Sequence, residues 1–175
     1  MPHYIRAYVP GGTYFFTVNL LERKRRLLVE HIEALRNAFR IVKQQRPFRI
    51  DAIVILPDHL HCIWTMPPSD CDYSTRWRLI KSAFSGTIEP GERLSRRRQV
   101  KSERGIWQRR FWEHAIRDQV DFDRHFDYIH YNPVKHGWVE RVSEWPHSSF
   151  HRFVRLGLYP ENWAAPLATN DLDWG

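Results

Sequence analysis

The sequence predicts an α+β domain: a ferredoxin-like antiparallel sheet with helices packed on it. Three observations carry that reading. The hydrophobic period switches between two and about 3.6 residues in the order β, α, β, β, α, β, α. The strand-like runs are rich in β-branched and aromatic residues and bounded by Gly, Pro and Asp. The chain of 175 residues shows no internal repeat and no linker, so residues 1–160 read as one domain with a tail at 161–175.

Each element follows from local chemistry. "GGTYFFTVNL" (11–20) is a first strand after a Gly-Gly turn, and the basic "ERKRR" is a loop. In 30–45, Ile32, Leu35, Phe39 and Val42 recur at helical spacing, and Pro47 stops the helix. "FRIDAIVIL" (48–56) and "HLHCIWTM" (59–66) are strands joined through "PDH" as a hairpin. A second helix spans 74–88 with Ser74 or Thr75 as N-cap. The polar, basic stretch 89–105 lacks a period and reads as a flexible loop. Residues 106–117 read as a fourth strand. Residues 118–132 read as a third helix, capped by Asp118 and ended by Pro133. From Asn162 the chain reads as an extended or disordered tail.

Composition narrows the function. The formal net charge is +7, from 27 Lys and Arg against 20 Asp and Glu, and 14% of residues are aromatic. Cations pair with phosphates while bases stack on rings, so this balance favours a nucleic-acid partner. The N-terminus has no signal-like apolar run, and the aliphatic run "AIVIL" is too short to span a bilayer. With only Cys62 and Cys71, a disulfide framework is implausible, and a cytoplasmic location is expected.

The chemistry concentrates in "LPDHLHCIWTM". His59 and His61, two apart in a strand, face the same way. Tyr128 and Asn132, four apart, share one helical face. Two imidazoles and one amide oxygen suit magnesium or manganese, with positions left for water or phosphate. Zinc would call for a thiolate or a third imidazole. Cys62 points to the other strand face from His61, whereas Cys71 lies in a loop that leaves a zinc site with His59 and His61 open.

"HLH" resembles the His-hydrophobe-His signature of the HUH single-strand endonucleases, and Tyr128-x-x-x-Asn132 resembles their tyrosine helix. Taken in order, "GGTYFFTVNL", "LPDHLHCIW", "RFWEHAIRD" and "DYIHYNPVKHGWV" resemble the REP-associated tyrosine transposases of bacteria, the single-tyrosine, IS200-like branch of that group. The likeness runs from about Gly11 to about Tyr159, and the basic stretch around Arg96, Arg97 and Arg98 is longer than the family pattern. The resemblance implies an HUH endonuclease fold and an enzyme that cleaves and rejoins single-stranded DNA at hairpin-forming palindromic (REP) elements. Tyr128 is then the nucleophile of a 5′-phosphotyrosine intermediate, and His59, His61 and Asn132 hold Mg(II) or Mn(II). Arg78, Lys81, Arg109, Arg110, Lys135 and His136 are candidate phosphate contacts. A monomer with its site in cis is preferred over a dimer. Glu113 and His114 alternate faces of their strand and receive no role.

Two other classes compete. A non-catalytic single-stranded nucleic-acid-binding module of ferredoxin-like fold would present sheet aromatics to bases, although the RNP1 pattern is missing. A zinc-stabilised structural domain would use His59, His61 and Cys71. A relaxase would place its tyrosine before the histidine pair, whereas Tyr128 follows it.

Overall fold

The computed structural model describes residues 5–165. A four-stranded antiparallel sheet is built from β1 (Thr13–Asn19), β2 (Arg49–Ile55), β3 (His59–Thr65) and β4 (Trp112–Ala115). Its order is β2-β3-β1-β4, the ferredoxin-like arrangement. The expected hairpin is present: β2 and β3 pair antiparallel across the Pro57–Asp58 turn.

Both faces of the sheet are covered. Alternation sends Tyr14, Phe16, Val18, Leu60, Cys62 and Trp64 to one face. There they meet α2 (Ile32–Gln45), preceded by the short α1 (Leu27–Glu30), and α3 (Tyr73–Gly86). The other face presents Phe15, Ala52, Val54 and Ile63 to α5 (Gln119–Lys135), which contributes Tyr128 and Ile129. No bare aromatic sheet face is left for stacking bases, because Tyr14, Phe15, Phe16 and Trp64 are fully buried. This removes the physical basis of the non-catalytic sheet-surface module.

Several boundaries differ from the sequence reading. The second helix is capped by Asp72, whose side chain accepts from the Thr75 N–H at 3.0 Å, so Ser74 and Thr75 lie inside it. The stretch 89–105 is not a loose loop. It holds the short helix α4 (Arg96–Val100), with Ser95 as N-cap. Arg104 pins the stretch: it pairs with Glu92 and donates to the Ser85 carbonyl at 2.8 Å, near the end of α3. One helical turn is too short to show a period in sequence.

The fourth strand is shorter than 106–117. Trp107 makes only an isolated bridge to Leu20, and the ladder with β1 runs from Trp112 to Ala115. Between them the chain leaves the sheet, which directs Phe111 onto the Phe16 and Trp77 rings of one face and Trp112 onto Phe15 of the other.

The third long helix passes through Pro133 and ends at Lys135, with Gly137 just beyond at φ 71°. Proline costs one N–H there, but Asn132 and Pro133 are packed and the Asn132 carbonyl still accepts from the His136 N–H at 3.0 Å. A further short helix, α6 (Phe150–Arg155), follows. The beginning of the expected tail is packed, since Trp163 stacks near Phe150 and Tyr159; its remainder, 166–175, lies outside the described residues.

Candidate active site

The β1–β3 register places Asn19 opposite His59 and Thr17 opposite His61, at the end of the sheet beside the Pro57–Asp58 turn. Both imidazoles face α5. Their ring centroids are 5.0 Å apart, and His61 lies 5.3 Å from the Tyr128 ring. Asn132 sits one helical turn beyond Tyr128 on the same face. His59, His61, Tyr128 and Asn132 are each at most 1% exposed. The structure therefore brings His59, His61 and Tyr128 together, with Asn132 one helical turn from Tyr128.

The imidazoles are oriented by partners that leave their outer nitrogens open. His59 Nδ1 donates to Asp58 Oδ1 at 2.7 Å, because a carboxylate accepts and cannot donate. His61 Nδ1 lies 2.8 Å from Thr17 Oγ1. The Nε2 atoms of His59 and His61 and both side-chain atoms of Asn132 are buried without a hydrogen-bond partner. Four such atoms from one small region would be costly to bury if nothing ever bound them. Two imidazole nitrogens backed by a carboxylate and a hydroxyl, with an amide oxygen, form a donor set that fits a divalent cation.

Electrostatics favour a neutral His61. Burial first, and then the positive charge of His59, His136, Lys135 and Arg23, holds His61 well below the ordinary imidazole range. Burial and the same cationic neighbours lower His136. Burial alone would raise Asp58. The hydrogen bonds from His59 and Arg23 win and hold it below the usual carboxylate range.

Lys135 and His136 join this site: Lys135 Nζ lies 4.9 Å from the Tyr128 ring centroid, and the His136 ring lies 5.1 Å from that of His59. Arg78, Lys81 and Arg109 do not. They line a separate cavity between α3 and the segment before β4, on the sheet's other face. Lys81 is not a solvated charge; it donates to the Gln108 carbonyl at 2.9 Å, and burial pushes it down to about 8. Arg110 is exposed. Cys71 belongs to the opposite end of the β1–β3 ladder, where Gly11 donates to the Asp70 carbonyl beside it, so it cannot complete a site with His59 and His61.

Sequence reasoning missed the supporting residues. Asp58 adjoins His59 in the quoted motif, but Thr17 is found only once the β1–β3 register is known. Arg23, from the basic loop, donates to Asp58 at 2.7 Å. A second cluster was also missed: ligand atoms of His114, Asp121 and His125 lie within 4.8 Å of one another, a spacing compatible with a metal ion. His114 Nε2 and Asp121 Oδ2 are 2.8 Å apart, and the His114 and His125 rings stack at 4.7 Å, so hydrogen bonds already organise it. Of Glu113 and His114, His114 is the one on the Tyr128 face, while Glu113 pairs with Arg6 on the other.

An α+β sheet that sets a His-x-His strand against a helix carrying Tyr-x-x-x-Asn defines a class of DNA-processing enzymes with a tyrosine at the centre. The chain belongs to the IS200-like transposase family, whose family model matches residues 12–132. It is 51% identical over 167 residues to the REP-associated tyrosine transposase of Escherichia coli (strain K12), a match covering 95% of this chain and 93% of that protein. It is 46% identical over 165 residues to a putative REP-associated tyrosine transposase of Haemophilus influenzae (strain ATCC 51907 / DSM 11121 / KW20 / Rd), covering 93% of each. Among solved structures, it superposes with a TM-score of 0.82 and 50% identity on a REP-associated tyrosine transposase bound to a REP hairpin, over 95% of this chain and 93% of that one. The fold is thus the HUH endonuclease fold, and the protein is an enzyme of the tyrosine transposase class. Among the described residues no helix is long and apolar enough to cross a membrane.

Proposed function

We propose that this transposase cleaves and rejoins single-stranded DNA beside hairpins of palindromic repeats, with Tyr128 as nucleophile and His59, His61 and Asn132 holding Mg(II) or Mn(II). The observation that carries this reading is the set of unpartnered buried donor atoms on His59, His61 and Asn132, one ring contact away from Tyr128. The hairpin substrate is supported by the similar enzyme bound to a REP hairpin.

The phenol oxygen of Tyr128 attacks the scissile phosphorus. The bond to the 3′ oxygen breaks, the 3′-hydroxyl leaves with a proton, and a 5′-phosphotyrosine remains. Because the phosphodiester energy is conserved, attack by another 3′-hydroxyl rejoins strands without ATP. A divalent ion, held by His59, His61 and Asn132, would supply charge neutralisation to the phosphate. The chain's residues do the rest. Asp58 and Thr17 fix the imidazole rings. A free phenol has a pKa of about 10, so the proton of Tyr128 must leave during attack, and the Lys135 ammonium lies 4.9 Å from the ring centroid, where its charge would offset that of an incoming phosphate. The Tyr128 side chain is 1% exposed, so entry of the scissile phosphate must uncover it. The His61 and Tyr128 rings meet within one chain, which supports a site in cis.

The test is incubation of the protein with single-stranded palindromic repeats and manganese. The expected product is a covalent protein–DNA adduct that Tyr128→Phe abolishes while hairpin binding stays within about twofold. His59→Ala should lose the metal-dependent cleavage. Adduct formation by Tyr128→Phe, or full activity of wild type in excess chelator, would overturn the assignment.

A further inference from the structure

The nucleophile helix carries a second set of ligand-type side chains, sharing no residue with the His59, His61 and Asn132 set. Asp121 and His125 stand about one turn apart on α5, and His114 of β4 faces them. One ligand atom from each lies within 4.8 Å of the other two. Asp121 and His125 are buried, whereas the His114 side chain is 20% exposed, so an ion from solvent can reach the cluster past His114. The resting protonation suits a cation. Burial alone would raise Asp121, but the bonds from the Arg117 N–H and His114 prevail and hold it below the usual carboxylate range. Burial holds His125 below the ordinary imidazole range, against the pull of its bond to the Asp121 carbonyl. A metal takes a carboxylate and a neutral imidazole, and both groups are already in those forms.

Charge balance points the same way. Arg117 reaches the Asp121 carboxylate only at 3.4 Å and from a side chain that is 76% exposed, so water screens that pair. A divalent cation would take the place of the proton that His114 Nε2 shares with Asp121 Oδ2 at 2.8 Å, and would neutralise the buried carboxylate. The donor set selects the ion. Magnesium prefers oxygen ligands and keeps its water. Imidazole suits zinc, and two histidines with one carboxylate are a set that zinc takes, with water in the remaining position. Geometry adds a requirement. A metal lies in the plane of each imidazole that binds it, but the His114 and His125 rings stack with their planes 17° apart. Binding therefore turns the His114 ring out of the stack. His114 is the least buried of the three and sits on an edge strand, where a ring has room to turn.

We propose that His114, Asp121 and His125 form a zinc-binding site that pins β4 to the first two turns of α5, the helix that carries Tyr128. Packing links this site to the reaction centre. The Phe15 ring lies 4.8 Å from that of His125, 5.5 Å from that of His61 and 6.0 Å from that of Tyr128. His125 also precedes Tyr128 by one turn of the same helix, so a zinc ion here restrains the backbone from which the phenol projects.

The test is a zinc titration of the full-length protein carrying His59→Ala and His61→Ala, which removes the other imidazole pair. This double variant should bind one zinc ion per chain. Zinc at about a hundred times the dissociation constant should raise its melting temperature by about 5–10 °C. Adding His114→Phe keeps a ring beside Trp112 and should weaken zinc binding at least about 100-fold, more than the outer partner of a ligand contributes. His125→Leu should do the same. Cobalt in place of zinc should give visible ligand-field bands that His114→Phe abolishes. His31→Ala, which removes an exposed histidine elsewhere, should leave affinity and melting shift unchanged. The site is overturned if the double variant binds no zinc, or if binding survives undiminished in either His114→Phe or His125→Leu, which would mark zinc held at the surface. Because no DNA is present, the outcome is independent of whether Tyr128 cleaves a strand.

Discussion

Removing the carboxylate behind His59 should weaken metal use without touching a ligand. Asp58 Oδ1 accepts from His59 Nδ1 at 2.7 Å, and its side chain is 14% exposed, so solvent replaces the bond poorly. A hydrogen bond to a charged group in such a setting is worth roughly 1.5–3 kcal/mol. In Asp58→Ala a second effect has the same sign. Arg23 Nη2 lies 3.4 Å from His59 Nδ1, and its charge is balanced by Asp58 in the wild type. Left alone, it repels a cation on the far side of the ring. Outer partners of ligand histidines typically contribute 10–100-fold to metal affinity or activity, so the half-saturating manganese concentration should rise by about that factor. Asp58→Asn keeps an acceptor and loses the charge, and should fall between. The assay is a manganese titration of hairpin-strand cleavage, with Asp51→Ala as control. Asp51 bonds Thr65 and Arg49 at the far end of the ladder and should leave the midpoint unchanged. A folded Asp58→Ala whose manganese midpoint stays within twofold of wild type would refute the claim that Asp58 orients a metal-binding His59.

Two further predictions concern stability. Arg76 is 2% exposed and donates to the Arg46, Pro47 and Asp72 carbonyls and to Asp70, tying the end of α2 to the start of α3. Arg76→Met fills similar space but leaves those acceptors unmet, and should cost about 2–4 kcal/mol in urea unfolding; a loss under 0.5 kcal/mol would contradict this accounting. His130 is fully buried between Ser149 and Tyr159, and burial brings it down to about 3. A lowered folded value means that its neutral form is favoured by folding. That contribution is fully present above the unfolded value near 6.5 and is lost as pH falls toward about 3. Stability should therefore fall with acid at up to about 1.4 kcal/mol per pH unit from this group, and His130→Phe should flatten the slope between pH 6 and 4 whatever its effect at pH 7. An unchanged slope would remove His130 from the acid response.

The strand and helix periods made the sheet order and the His-x-His placement legible, because alternation on β3 follows from the backbone alone. His59, His61 and Ile63 go one way while Leu60, Cys62 and Trp64 go the other. The Tyr128–Asn132 pairing was legible for the same reason on a helix. What the sequence hid depends on packing between distant segments. Thr17 supports His61 only through the strand register, and Arg23 reaches Asp58 only through the path of a basic loop. That Arg78, Lys81 and Arg109 lie away from Tyr128 was hidden because charge in a sequence carries no information about which sheet face it reaches. Pro133 misled because a local rule for ending helices yields when the following turn is packed and capped beyond it.

The two faces of the sheet give one chain a division of labour. A strand buried on both faces can hold histidines in fixed orientation, here with Asp58 and Thr17 bonded to the two rings. That rigidity suits a metal site, where the ligands must wait in place. A cavity of any size cannot be built into the centre of such a sheet, and the one beside α3 is not. It forms at the edge, where residues 108–111 leave the ladder between the Trp107 bridge and β4. The interruption that spoils a twelve-residue strand is therefore what opens the cavity, and the short strand and the pocket are one structural event. That cavity is lined by α3, Arg98 and residues 102–111 and by no residue of β1 or β3, so it is separable by mutation from His59, His61 and Tyr128.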